Sequence, residues 1–235
     1  MAEEIFSLFS GLSSDFDQKY QKDPNFIQRM KCWSGFIDKY LMPGRLVYDL
    51  GCGPGVFSFF AATKGAEVTG IDGSDGMINL CREKLSAYPE KERLKIRFVR
   101  EVLPLMDPVQ YPQADLVICS SMFEYILEKE MMIDSFRSLL KEDGILLLSV
   151  PNRVSVYRFF EKLSYRLIGK PSYLKHVSNQ FSYEELEIEF RQQHFIPLEK
   201  RYYANKYMLS GLLKLLLPER YTSNLLLVVF QKKPD

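Results

Sequence analysis

The chain has 235 residues, 46% of them hydrophobic and 26% charged, with 31 basic against 30 acidic residues and a formal net charge of +1. That length is enough to bury a large core in one domain, and the hydrophobic content excludes a disordered chain. The near-neutral balance excludes a general field for nucleic acid or other polyanions. The four cysteines, Cys32, Cys52, Cys81 and Cys119, form no CxxC pair and fall in apolar stretches, so they read as reduced thiols. The acidic start Met1-Ala2-Glu3-Glu4 has no basic leader segment, and no apolar run approaches the roughly 18 residues of a membrane span, which predicts a cytoplasmic protein.

Residues 5–23 are mixed and carry no clear period. Asp23-Pro24 predicts a helix start, a capping side chain followed by a proline whose missing N–H costs nothing there. Phe26, Met30, Trp33, Ile37 and Tyr40 then form one helical face that ends at Pro43-Gly44. Residues 46–50 read as a buried strand, followed by the glycine turn 51–55 and a helix over 56–64 stopped by Gly65. A second strand at 68–72 leads to a helix capped by Ser74, with Met77, Ile78, Cys81 and Leu85 on its core face. Residues 94–99 place Lys95 and Arg97 on one side, which suits an edge strand. Residues 114–119 lack alternation and predict a central strand covered on both faces. Met132, Ile133, Phe136, Leu139 and Leu140 predict a helix closed by Gly144, and 145–150 a second buried strand stopped by Pro151-Asn152.

After residue 151 the alternation breaks. Val154, Tyr157, Phe160, Leu163 and Leu167 make one helical stripe, with Arg158, Lys162 and Arg166 elsewhere around it. Ser182 and Glu185 form a capping box for the next helix. Strands are predicted at 195–203 and 221–230, on either side of a short apolar segment, 207–217. Five strand–helix alternations imply a parallel sheet with helices on both faces and a ligand crevice at the carboxyl ends of its strands. Asp49, Asp72, Glu101, Ser120 and Asn152 all fall at those ends.

The turn itself is GxGxG, with Asp49 two residues before its first glycine, whereas the dinucleotide fingerprint is GxGxxG. Bare main chain and a free helix start suit a carboxylate or phosphate, and Asp72, at the end of the next strand, is placed to grip ribose hydroxyls. Asp49-Leu50-Gly51-Cys52-Gly53-Pro54-Gly55, with Gly70-Ile71-Asp72-Gly73-Ser74 behind it, resembles the class I S-adenosylmethionine-dependent methyltransferases. Within them it is most similar to the small-molecule group that includes the ubiquinone-pathway O-methyltransferases. The resemblance covers about residues 25 to 231 in element order, with strong motifs only to about Asn152.

That resemblance implies a doubly wound, Rossmann-like α/β fold whose seven-stranded sheet is mostly parallel with an antiparallel last strand, plus helical cap insertions. It implies a single methyltransferase domain over 1–235, with an N-terminal helical cap over about 1–42, core at 43–151 and 181–235, and a cap insertion over about 152–180. S-adenosylmethionine is the implied cofactor. Asp72 would take its ribose hydroxyls, and Gly51, Cys52, Gly53 and Gly55 would pack against its methionyl part, with Asp49 supporting the turn or the amine. Gly73 and Met77 would flank the adenine, and Tyr20 and Arg29 from the N-terminal cap would reach the carboxylate. Glu101-Val102 stands where relatives hold the adenine amino group, and departs from their usual Asp-Ala. Cys119 and Ser120 would line the sulfur side, Cys119 as a buried inert thiol.

The acceptor has no local motif. Ser120-Ser121-Met122-Phe123 lacks the Asn/Asp-Pro-Pro-aromatic motif of adenine-amino enzymes, and Ile118 precedes Cys119 where cytosine-C5 enzymes carry Pro-Cys, so a nucleic-acid substrate is not expected. A small organic acceptor remains, with O-methylation ahead of N- or carboxyl methylation. His176, in the cap, and Glu124, after the fourth strand, are the candidate bases; His194 reads as structural, and a carboxylate acceptor would need no base. No acid and histidine cluster suggests a metal. The aromatic and cationic cap (Arg153, Tyr157, Arg158, Phe159, Phe160, Lys162, Tyr165, Arg166) points to an anionic, lipophilic or carrier-tethered acceptor, or to peripheral membrane contact. Two rivals stay open: a nicotinamide-dependent oxidoreductase and a non-catalytic binding subunit. The oligomeric state is not legible.

Overall fold

All seven strands join one sheet in the order β3-β2-β1-β4-β5-β7-β6. The computed structural model describes residues 11, 13–89, 93–206 and 210–234, so the acidic start, residues 5–10 and the first three residues of the 207–217 segment lie outside the described residues. The strands are β1 (Leu46–Leu50), β2 (Glu67–Asp72), β3 (Ile96–Arg100), β4 (Ala114–Ser120), β5 (Leu140–Pro151), β6 (Phe195–Tyr203) and β7 (Leu225–Lys232). β1 to β5 pair in parallel, and β7 runs antiparallel between β5 and β6. The order reverses at β1, between β2 and β4, so the glycine turn opens at the switch point where such sheets bind ligands.

The helices are α1 (Ser13–Lys22), α2 (Pro24–Tyr40), α3 (Val56–Thr63), α4 (Asp75–Ser86), α5 (Lys129–Leu139), α6 (Val156–Ile168), α7 (Tyr183–Gln192), α8 (Ser210–Leu216) and α9 (Glu219–Thr222). Asp23 caps α2 by accepting from the amides of Asn25 and Phe26 at 2.7 and 3.3 Å. Alternate strand residues face opposite layers. Val47, Leu116, Ile118 and Leu147 pack under Trp33 and Ile37 of α2 and Phe57 and Ala61 of α3. Tyr48, Leu50, Val117, Leu146 and Leu148 pack under Phe136 of α5 and Leu186 and Phe190 of α7. Burial on both faces is why β4 and β5 read as unbroken apolar runs.

α1 occupies part of the 5–23 stretch, which shows no clear period. Two boundaries need correction. α5 ends at Leu139, and Leu140 already opens β5 by pairing with Ala114; Leu139 and Leu140 are equally apolar, so periodicity could not separate helix from strand. β7 begins at Leu225, not at residue 221, because Tyr221 belongs to α9. In α6 the apolar stripe faces outward, with Phe160 61% and Leu167 74% exposed, while the buried residue of α6 is Arg158, at 6%. Among the described residues, no helix is long and apolar enough to cross a membrane.

Candidate functional site

The site begins where β1 runs out. Gly51 and Cys52 donate their amides to the Ile71 carbonyl of β2, which turns the chain sharply over the neighbouring strand. Gly51 has φ +69°, a region L-residues avoid, and a Cβ there would overlap the side chain of Met122. Gly53 differs. Its Cβ direction meets nothing within 4 Å and it lines the cavity, so the main chain there is open to a ligand. Gly51→Ala is therefore expected to lower stability by about 1–2 kcal/mol from backbone conformation alone, a Tm loss of roughly 2–8 °C. Thermal melts of the two proteins check it.

Two carboxylates flank this turn. Asp72 Oδ2 accepts from the Gly53 amide at 2.9 Å, and Oδ1 accepts from the Ser74 amide at 2.8 Å. Asp72 thus ties the glycine turn to the start of α4, whose cap is Ser74. Asp49 is buried at the end of β1 on the α3 side, where Ser58 donates its hydroxyl to Oδ2 at 2.5 Å. Burial pushes Asp49 up to about 7 against the opposing Ser58 hydrogen bond.

α2 closes the next wall. Arg29 donates Nη2 to the Ser120 carbonyl at 2.7 Å and to Ser120 Oγ at 2.6 Å, which anchors the helix on the end of β4. Tyr20 of α1 lies edge-on to Phe26 and Phe57 beside it. Beyond Ser120, a short 3-10 turn, Phe123–Tyr125, carries Glu124. Glu124 is 5% exposed, and its Oε2 has no hydrogen-bond partner among the described residues. Burial pushes it up to about 7, against the pull of Arg158 and Arg29.

These groups share a cavity of about 600 Å³. Tyr20, Arg29, Asp49, Gly51, Cys52 and Gly53 line it on the turn side, and Asp72, Gly73, Met77, Val102, Ser120 and Glu124 complete the set predicted from sequence. Four predicted residues are not among its lining. Gly55 packs under Cys81, Phe59 and Phe98 instead. Glu101 turns away to accept from the Tyr111 hydroxyl. Cys119 lies inside β4, where burial pushes its thiol well up. His176 is buried in the 3-10 turn Ser172–His176, away from the cavity wall.

The cavity also takes residues that periodicity did not assign to it. Leu103, Ile126, Leu127 and Leu225 form an apolar wall, and Glu161, Tyr173 and Asn224 join Arg158 at its far end. Arg158 is one of three cations in α6, with Lys162 and Arg166, and no sequence pattern singles it out as the buried one. Among the described residues, no group of three or more His, Cys, Asp or Glu is arranged to hold a metal.

A methyltransferase domain family matches residues 48–146. Over 181 residues the chain is 30% identical to the ubiquinone biosynthesis O-methyltransferase of Glaesserella parasuis, covering 69% of this chain and 74% of that protein. The chain belongs to the class I S-adenosylmethionine-dependent methyltransferases. A second ubiquinone biosynthesis O-methyltransferase, from Psychrobacter cryohalolentis, is 28% identical and covers 69% of this chain and 67% of its own. Among solved structures, the magnesium protoporphyrin IX methyltransferase of Synechocystis PCC 6803 superposes with a TM-score of 0.71 at 18% identity, covering 99% of this chain and all (100%) of that one. The 1,6-didemethyltoxoflavin-N1-methyltransferase of Burkholderia thailandensis gives 0.67 at 15% identity, covering 99% of this chain and 89% of that one. Both have the same fold.

S-adenosylmethionine is the cofactor of this methyltransferase, and the residues present fit it. The open main chain at Gly53, the carboxylates on either side of it and the cavity volume suit a cationic nucleoside of that size. The two buried acids also set a pH signature. A carboxyl raised on folding holds its proton better in the native state, so its stabilising contribution is complete below the unfolded value near 4 and is lost as pH rises to about 7. For Asp49 and Glu124 the loss is roughly 3–4 kcal/mol apiece. Melts of the ligand-free methyltransferase are expected to show Tm falling over that interval, and Asp49→Asn is expected to flatten the fall. A profile that ignores the substitution would assign the titration to other groups.

Proposed function

We propose that this methyltransferase methylates a hydroxyl of a small, largely lipophilic organic acceptor, with Glu124 as general base. One observation carries the reading: a buried carboxyl on the cavity wall, one of whose oxygens has no hydrogen-bond partner among the described residues, pushed up to about 7, where it both accepts and releases a proton near neutral pH. Its kinship with ubiquinone biosynthesis O-methyltransferases favours oxygen as the methylated atom. His176 is the weaker candidate, since the cavity lining does not include it.

When bound, the cofactor supplies an electrophilic methyl on a sulfonium. The chain's own residues hold, align and deprotonate. Asp72 would hold the ribose hydroxyls, the open main chain at Gly53 the methionyl portion, and Asp49 its ammonium. Gly73, Met77 and Val102 would hold the adenine, and Arg29 and Tyr20 the carboxylate. Glu124 would accept the acceptor's hydroxyl proton on Oε2. Alignment supplies most of the acceleration, because in-line displacement needs contact at a fixed angle more than it needs any catalytic group.

The lining also speaks to the acceptor. Six carboxylates (Asp23, Asp49, Asp72, Glu124, Glu128, Glu161) outnumber three cations (Lys19, Arg29, Arg158), which favours a neutral, lipophilic acceptor over an anionic one. Four free cysteines support a reducing, cytoplasmic setting. The test is a metabolite screen with 13C-methyl S-adenosylmethionine, extended to paired hydroxy- and amino-arenes. Methoxyl products support the reading; products methylated only on nitrogen overturn it.

A further inference from the structure

The segment between β5 and α7 grips the turn that carries Glu124. The amides of Ser178 and Asn179 donate to the Glu124 carbonyl at 2.7 and 3.1 Å. The Asn179 side-chain amide donates to the carbonyls of Phe123 and Ile126 at 3.0 and 2.5 Å. The same segment contributes Arg158, the inward-facing residue of α6. A buried guanidinium costs several kcal/mol unless it is paired and hydrogen-bonded. Here Nη1 donates to Glu161 Oε2 at 2.7 Å and to the Tyr173 hydroxyl at 2.9 Å, and Nη2 donates to the Asn224 carbonyl at 3.3 Å. Tyr173 and Asn224 also donate to Glu161, each at 3.2 Å. Three residues from three parts of the chain therefore hold one cation on the wall of the cavity that Glu124 also lines.

We propose that Arg158 is a positioning residue for Glu124: fixed by Glu161, Tyr173 and Asn224, its buried guanidinium lines the same cavity as that carboxyl and favours its ionised, proton-accepting form. The inference rests on the reading of Glu124 as the base. Around Glu124 the charged and titratable groups are Arg29 of α2, Arg158 of α6, Tyr125 of its own turn and Cys119 of β4. Burial holds Tyr125 and Cys119 neutral, which leaves the two arginines as the cations that act on it. Arg29 is committed to Ser120 in the core. Arg158 belongs to the cap, so it couples the proton-accepting group to the element that roofs the acceptor.

The test follows the carboxyl directly and needs no acceptor. Full-length protein labelled with 13C at the glutamate side-chain carboxyl is titrated by NMR, and the Glu124 signal is the one missing from Glu124→Gln. The wild-type midpoint is expected near 7. Arg158→Gln is expected to raise it by about one pH unit or more, and Arg158→Lys by less. Glu161→Gln, which leaves the Arg158 charge uncompensated, is expected to lower it. Should Arg158→Gln fail to fold, Glu161→Gln decides the matter by the opposite sign. A midpoint indifferent to whichever variant folds overturns the inference and leaves the base reading standing. Undiminished methyl transfer by Glu124→Gln sinks the base reading instead, whatever the titration shows.

Discussion

Asp72→Ala is expected to weaken S-adenosylhomocysteine binding by at least tenfold, and by roughly a hundredfold if two hydrogen bonds to a charged group, at about 1.5 kcal/mol each, are lost. The effect has two sources. The carboxylate is the group proposed to grip the ribose, and the same two oxygens accept from the amides of Gly53 and Ser74. Losing it removes a ligand contact and frees the glycine turn from α4. Isothermal titration separates the two when Asp72→Asn is measured beside it. The amide keeps one acceptor for the main chain but not the paired oxygens a vicinal diol needs, so its affinity should fall between the other two. Affinity unchanged in Asp72→Ala would refute the ribose role.

Glu124→Gln is expected to reduce kcat by about 10²–10³-fold, the usual worth of a general base, with cofactor affinity unchanged. The shape is preserved, while the oxygen that accepts the proton loses its basicity. The rate of the wild-type enzyme should rise with pH to a plateau above about 7, since the base must be ionised, and the residual rate of the variant should lack that limb. The measurement uses whichever acceptor the labelled-methyl screen recovers. His176→Gln supplies the contrast. Its buried side chain is not among the cavity lining, so it should act on stability and leave the pH limb where it was.

The two predictions differ in how much of their basis was readable in one dimension. Asp49, the three glycines and Asp72 lie within 24 residues of one another, on consecutive elements of one strand–turn–helix–strand unit. In that unit the chain's own local geometry aims every group: a positive φ needs glycine, a strand end projects its last acid, and a parallel crossover brings the second strand beside the first. Glu124 is a middle case. Its position after β4 was legible, but its burial, which raises its hold on a proton, depends on cap residues more than fifty positions away, as the Ser178 and Asn179 hydrogen bonds show.

Sequence alone therefore determined the sheet and the cofactor class, because those follow from hydrophobic period and from motifs whose residues are neighbours. It left the direction of α6 open: its apolar stripe does not say which way it faces, and here Phe160 and Leu167 face out and Arg158 faces in. Only the folded chain supplied the reason, for Arg158 can be buried only because Glu161, Tyr173 and Asn224 converge on it from α6, a cap turn and the start of β7. Pairing across such separations leaves no periodic trace in a sequence, and it is this pairing that decides which charges line the cavity.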